Sequence, residues 1–222
     1  VYYFYLSIKN WRGIMVLEIY LFIDPLNRHC YDAEKTIDNI SRKLNTKVSV
    51  RFISMLNIKI LNQMAAKAGD KFDRKLPYNI VLDSKAASFQ GKKLGRHFLM
   101  DLQRELLLND RNYNDELVYG LAENNGLDCR MFEEDRRSSL AENMFKCDQR
   151  MVHEMSVDEP ATAVLFNSAV DNNGVLIKDF DYNSMFKFCA QSIKSVHHFE
   201  ELIKQHQNNQ GATILYPQSN FF

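Results

Sequence analysis

The sequence predicts an α/β fold in which a sheet-forming region is interrupted by a long helical block. Three observations carry this. Residues 17–53 read as strand, helix, strand. Residues 58–155 show helical periodicity almost throughout. Strand signals return after residue 160, and a last helical stretch follows them. A chain of 222 residues can bury a core of that size, as one large domain or as a domain with a big insertion.

Each element follows from local pattern. Leu17–Ile23 is an apolar run that meets Asp24-Pro25, as expected of a buried strand entering a tight turn. Tyr31–Leu44 sets Ala33, Ile37, Ile40 and Leu44 on one helical face. Asn45-Thr46 breaks it, and Val48–Ile53 alternates as a second strand, completing a βαβ unit. Asn57–Ala68 is a helix stopped by Gly69. Residues 70–83 read as an irregular hinge around Pro77. Ser84–Leu108 reads as one long helix with Ala87, Leu94, Phe98, Leu102 and Leu106 as its apolar stripe. Glu116–Glu123, closed by Asn124-Asn125-Gly126, and Leu127–Asp135 are short helices. Ser139 and Glu142 have capping-box spacing and open a helix whose expected core face is Leu140, Met144, Cys147, Met151 and Met155. Ala161–Phe166 and Gly174–Ile177 read as strands around a polar, hairpin-like turn at Ser168–Asn173. One or two helices then cover Tyr182–His206.

The turn after the first strand carries the most information. Asp24-Pro25-Leu26-Asn27-Arg28-His29-Cys30 lies where a thioredoxin-like fold holds a Cys-x-x-Cys pair, but only Cys30 is present and Asn27 takes the first cysteine's place. The first cysteine is the attacking thiolate in disulfide exchange, and an amide cannot make that attack. The degenerate motif Asn27, Arg28, His29, Cys30 therefore points to a redox scaffold kept for binding, with no catalytic residue. Cys30, deeper in the helix, is expected to be buried and structural, and His29 beside it points elsewhere. The element order fits a thioredoxin-like α/β fold with an inserted all-helical domain, though another α/β domain can share that order. Residues 15–56 and 157–206 form the discontinuous thioredoxin-like domain, 57–156 the helical insertion and 207–222 a C-terminal tail.

A second turn is expected to face the first. Pro160 stands immediately before a strand, in Val157-Asp158-Glu159-Pro160-Ala161-Thr162. That position suits a cis X-Pro bond, and equally an ordinary strand-opening proline. In a thioredoxin-like fold, Glu159, Pro160 and Ala161 would border a groove that offers backbone to a partner's extended segment.

Composition excludes several function classes. Lysine plus arginine equals aspartate plus glutamate, 28 each, without the basic excess of a nucleic-acid binder. Lys92-Lys93 with Arg96 reads as a solvated helix face, and Glu133-Glu134-Asp135-Arg136-Arg137 as a capped, solvated helix end. Cys30, Cys129, Cys147 and Cys189 lack metal-ligand spacing with one another or with histidine, and no carboxylates are spaced with His197-His198 or His206. There is no phosphate-cradling glycine loop and no serine nucleophile elbow, so neither a metal nor a cofactor is expected. No apolar run approaches the roughly 20 residues that cross a bilayer. No secretory signal is visible, which favours a reducing, cytoplasmic compartment with cysteines mostly serving as small core hydrophobes.

The first residues have their own reading. Trp11-Arg12-Gly13-Ile14 lies just before Met15, and a Trp-Arg pair encoded TGGAGG upstream of ATG has the form of a bacterial ribosome-binding site. Residues 1–14 are expected to be translated leader from a misassigned start, or else a short genuine extension.

Beyond single motifs, Leu17–Cys30 resembles the opening of the DsbA-like thioredoxin family. Within it, the segment is similar to the Spx adaptor proteins of Gram-positive bacteria, the SpxH/YjbH type, which read Phe-x-Asp-Pro-Leu-Cys-x-x-Cys. The segment from Lys85 through Phe89, Gly91, Leu94, Gly95, Arg96 and His97 to Leu102-Gln103 is similar to the same group and more specific. Phe132, Asp135, Ser138, Phe145, Asp148 and Pro160 fall where the wider family has its Phe-x-x-Asp, Ser and cis-proline signals. The resemblance implies a cytosolic adaptor that binds the transcription regulator Spx and promotes its destruction by the ClpXP protease. Two departures stand out, Asn27 for the first cysteine and Glu159 before the proline. The readings set against the adaptor are a thiol oxidoreductase or dithiol–disulfide isomerase, and a glutathione-dependent isomerase or transferase.

Overall fold

A computed structural model describes residues 16–44, 48–69, 72–168, 174–193, 199, 201 and 214–215. The expectations for residues 1–14, for most of the turn at Ser168–Asn173 and for most of the segment after residue 193 lie outside the described residues.

Five strands form one sheet in the order β2-β1-β3-β4-β5. Strand β1 (Leu17–Ile23) is central. It pairs in parallel with β2 (Val48–Ser54), across the helix α1 (Arg28–Leu44), and antiparallel with β3 (Thr162–Asn167). Strand β4 (Gly174–Ile177) continues antiparallel from β3. Ile214–Leu215, inside the segment read as a tail, form β5 against Gly174 and Val175.

The alternation of β1 sorts the core into two layers. Leu17, Ile19, Leu21 and Ile23 belong to a large cluster with Ile37 and Ile40 of α1 and with Phe98, Leu102, Val118 and Phe132 of the helical insertion. Phe22, between them in sequence, joins Ile53, Met55, Ile60, Met64, Met155 and Val164 in a second cluster.

The insertion is all helical, and it departs from the sequence reading in three places. First, residues 76–83 are not hinge. Helix α2 (Ile58–Ala68), capped by the Asn57 side chain and closed at Gly69, is followed by α3 (Leu76–Phe89), with Pro77 in its first turn. A proline there has no intrahelical amide bond to lose. Second, the long helix is two. Helix α3 ends at Gln90, and α4 (Lys92–Leu107) starts after Gly91, whose φ of 149° a residue with a Cβ rarely adopts. The two helices then close on each other at Ser88 and Gly95. A Cβ on Gly95 would overlap Ser88 Oγ and lie 2.7 Å from Ser88 Cα.

Third, the last insertion helix is capped and turned differently. After α5 (Asp115–Asn124) and α6 (Cys129–Arg136), helix α7 (Ser139–Glu154) takes Ser138, not Ser139, as its N-cap, with Ser138 Oγ accepting from the Leu140 amide. Leu140 is 56% exposed and Cys147 is exposed, while Ala141, Asp148 and Met155 are buried. The inward face is organised by a charge, Asp148, that hydrophobic periodicity passes over. The terminal helix α8 (Tyr182–Ser192) begins at its Asp181 cap.

Candidate functional site

At the end of β1 the chain makes a turn that ties itself together with its own polar groups. Asp24 is buried; its Oδ1 accepts from the Leu26 amide at 2.9 Å, and its carbonyl accepts from the Asn27 amide at 3.2 Å. Asn27 is the first-cysteine position. Its Oδ1 accepts from the His29 amide at 2.9 Å, and its carbonyl accepts from the Tyr31 amide at 3.1 Å. That is the bonding of a helix N-cap. The His29 amide, one of those at the start of α1 that would stabilise a thiolate at this position, is here engaged by a neutral carboxamide.

Cys30 sits one turn in, fully buried, with a free thiol. The Asp24 amide donates to Cys30 Sγ at 3.4 Å, and the Ala161 backbone lies close enough to act on the same thiol. Burial nevertheless pushes the thiol up to about 12, with the nearby Asp24 and Glu34 carboxyls adding to the rise. Burial of that kind disfavours the thiolate, the form that attacks in disulfide exchange. Burial likewise raises the Asp24 carboxyl to about 6. Arg28 and His29 point outward, Arg28 toward Asp32 at 3.4 Å.

The second turn does meet the first. The Ala161 amide donates to the Phe22 carbonyl at 2.8 Å, seating the turn against the end of β1. Glu159 is exposed and lies 3.5 Å from Lys178, and the Glu159 carbonyl accepts from Thr162 Oγ1. The cis-proline expectation is corrected: no peptide bond among the described residues is cis, so Pro160 follows a trans bond. The change of direction falls on the next residue instead, Ala161, with a φ of 60° that is uncommon outside glycine.

The Lys85–Gln103 segment sends several polar side chains into the molecule. Lys85 is 4% exposed and forms a buried ion pair with Asp148 of α7. Asp148 Oδ2 also accepts from the Ser54 amide at 2.8 Å, and Gln149 Nε2 donates to the Ser54 carbonyl at 2.7 Å. These bonds fasten the end of β2, an outer strand of the sheet, to the insertion. Arg96, read as part of a solvated face, instead donates to the Val50 carbonyl at 3.1 Å and lies 3.9 Å from buried Asp38 of α1, with His97 beside it. Lys92 and Lys93 are exposed, as that reading expected. Gln103 Nε2 donates to Glu34 Oε1 at 2.9 Å, and neither side chain touches solvent.

A further polar cluster went unseen in the sequence. Arg136, in the run read as a solvated helix end, grips Asp83 of α3 through Nε at 2.6 Å and Asp115 through both terminal nitrogens at 3.2 Å. Its guanidinium also lies over the rings of Tyr119 and Phe132 at 5.2 and 5.7 Å. Tyr113 donates to Asp83 at 2.7 Å. A cavity of about 350 Å³ opens here, lined in part by Asn79, Tyr113 and Arg137. Both Asp83 oxygens and all three guanidinium nitrogens have protein partners, so the cluster joins α3, α5 and α6. Among the described residues no group of three or more His, Cys, Asp or Glu side chains is placed to hold a metal ion, and no helix is long and apolar enough to cross a membrane.

The ClpXP adapter protein SpxH of Bacillus subtilis is 29% identical over 185 residues, covering 72% of this chain and 62% of the relative. That of Bacillus licheniformis is 30% identical over 184 residues, covering 72% and 61%. The chain thus spans about three-fifths of the length of these relatives. Among solved structures, a Nitrosomonas europaea protein assigned as a disulfide isomerase superposes with a TM-score of 0.61 at 13% identity, covering 86% of this chain and 99% of that one. The cytosolic disulfide reductase DsbM of Pseudomonas aeruginosa gives 0.54 at 15%, also covering 86% and 99%. The fold is thus thioredoxin-like with helical insertions. A family model described as Thioredoxin matches residues 20–188, most of the chain, and this protein belongs to the thioredoxin family.

Proposed function

We propose that this chain is a cytoplasmic adaptor without redox catalysis, which binds an Spx-type transcription regulator and promotes its degradation by ClpXP. The observation that carries the reading is Asn27. The residue in the nucleophile's position is a helix cap, and the remaining thiol, Cys30, is buried and pushed up to about 12. Similarity to SpxH-type adapters supplies the partner class. The partner-facing surface is taken to be the two turns Asn27-Arg28-His29 and Glu159-Pro160-Ala161, where Arg28, His29 and Glu159 are exposed.

The test is reconstituted degradation of purified Spx by ClpXP in reducing buffer, with this protein, with its Cys30→Ser variant and with neither. Acceleration by both forms is expected. No acceleration together with no binding of Spx would remove the adaptor reading. Retention on immobilised glutathione would then favour a glutathione-dependent isomerase or transferase.

A further inference from the structure

The seam between α1 and α4 contains a polar pair whose bonding is incomplete as ordinarily drawn. Glu34 and Gln103 are both fully buried. One hydrogen bond joins them, from Gln103 Nε2 to Glu34 Oε1 at 2.9 Å. The other two oxygens, Glu34 Oε2 and Gln103 Oε1, have no hydrogen-bond partner among the described residues. Buried polar atoms are rarely left so, and two orphans on one bonded pair call for a common explanation.

We propose that Glu34 is a neutral carboxylic acid that forms a reciprocal pair with Gln103, so that the α1–α4 seam is a latch closed by a proton and opened by its loss. With the proton on Oε2, Glu34 donates to Gln103 Oε1 while Gln103 Nε2 donates to Glu34 Oε1, and both orphans are satisfied at once. When the proton leaves to solvent, an oxygen of the carboxylate faces the amide oxygen, and a charge is left on a fully buried side chain.

The surroundings favour the neutral form. Burial pushes the Glu34 carboxyl up to about 8, Asp24 in the adjoining turn raises it further, and the Gln103 bond opposes the rise. Cys30 and Tyr31, its neighbours on α1, are themselves shifted upward in part by Glu34. Arg104 and Asp101 of α4 act on Tyr31, with opposite signs. One turn further along α1, the guanidinium groups of Arg42 and Arg96 and the His97 ring gather on Asp38. The sign follows. A carboxyl raised in the folded state holds its full stabilisation below its unfolded value near 4.5 and loses it as pH rises through about 8.

Infrared spectroscopy of the full chain in heavy water at neutral pH tests this, with Asp24→Asn as the control for the raised carboxyl of the adjoining turn. A carboxylic-acid carbonyl band that survives Asp24→Asn and vanishes in Glu34→Gln is expected. Its absence from the folded wild type would overturn the proposal. Glu34→Gln supplies an independent check, because its amide can complete the same reciprocal pair without a titrating proton. It is expected to match the wild type at about pH 4, where both states keep the proton, and to exceed it in stability at about pH 9. A Glu34→Gln variant less stable than the wild type at about pH 9 would show that the carboxylate is the form the fold requires.

Discussion

The Asp24–Cys30 turn and the seam where α3 and α4 meet the sheet both bury polar side chains, but they do so for different ends. In the turn, the bonds are local: Asp24 with Leu26 and Asn27, Asn27 with His29, and the Asp24 amide with Cys30. They fix a loop and leave Arg28 and His29 exposed at the surface. In the seam, the bonds are long-range: Lys85 with Asp148, Asp148 with Ser54, Arg96 with Val50, Gln103 with Glu34. They fix one part of the fold to another and leave little at the surface. The comparison teaches that polar side chains of the Lys85–Gln103 segment tie separate elements together, whereas the turn bonds to itself and exposes Arg28 and His29.

The largest effect that would sharpen this contrast is in the seam. Lys85→Met leaves Asp148 charged and buried without its cation and is expected to cost about 3–5 kcal/mol in denaturant unfolding. Unfolding free energies indistinguishable from wild type would remove the pair from any structural role. Gly95→Ala forces α3 and α4 apart at Ser88 and should cost about 1–3 kcal/mol, read from the shift in denaturation midpoint. In the turn the numbers shrink. Asn27→Ala removes a cap and should cost about 1 kcal/mol by the same measurement, while Asn27→Cys rebuilds the dithiol spacing. A loss from Asn27→Ala as large as that from Lys85→Met would erase the distinction between the regions. Arg28→Ala, breaking a pair in which both side chains are about half exposed, should stay within roughly 0.5 kcal/mol of wild type. Across pH, the raised carboxyls of Asp24 and Glu34 make stability fall as pH climbs through about 6 and about 8, and thermal unfolding at a series of pH values reads that slope. Stability that rose over this range would contradict both assignments.

The sheet-forming half was legible in sequence because its signals are local. An apolar run into Asp24-Pro25, a helical face at Ala33, Ile37 and Ile40, and alternation around Val50 each report on neighbours a few residues away. The helical insertion was legible only in kind. The break at Gly91 was missed because one glycine is tolerated within a helical pattern, whereas the close approach of Gly95 to Ser88 is a tertiary demand. The face of α7 was misread because its inward position is Asp148, and Arg136 because its partner Asp83 lies 53 residues upstream. In the candidate site, the missing nucleophile and the burial of Cys30 could be anticipated. The role of Asn27 as a cap could also have been read, since asparagine ahead of a helical face is a known start signal. The trans bond at Pro160 and the positive φ at Ala161 depend on how the turn seats against Phe22, which no local pattern records.

The central claim is that the turn has exchanged its nucleophile for a cap. Reduction of insulin disulfides by the wild-type protein, with dithiothreitol as the electron source, measures that most directly. A rate no faster than dithiothreitol alone, unchanged by Cys30→Ser, is the result predicted. Catalysed reduction by the wild type that disappears in Cys30→Ser would contradict it and return the protein to the thiol oxidoreductases.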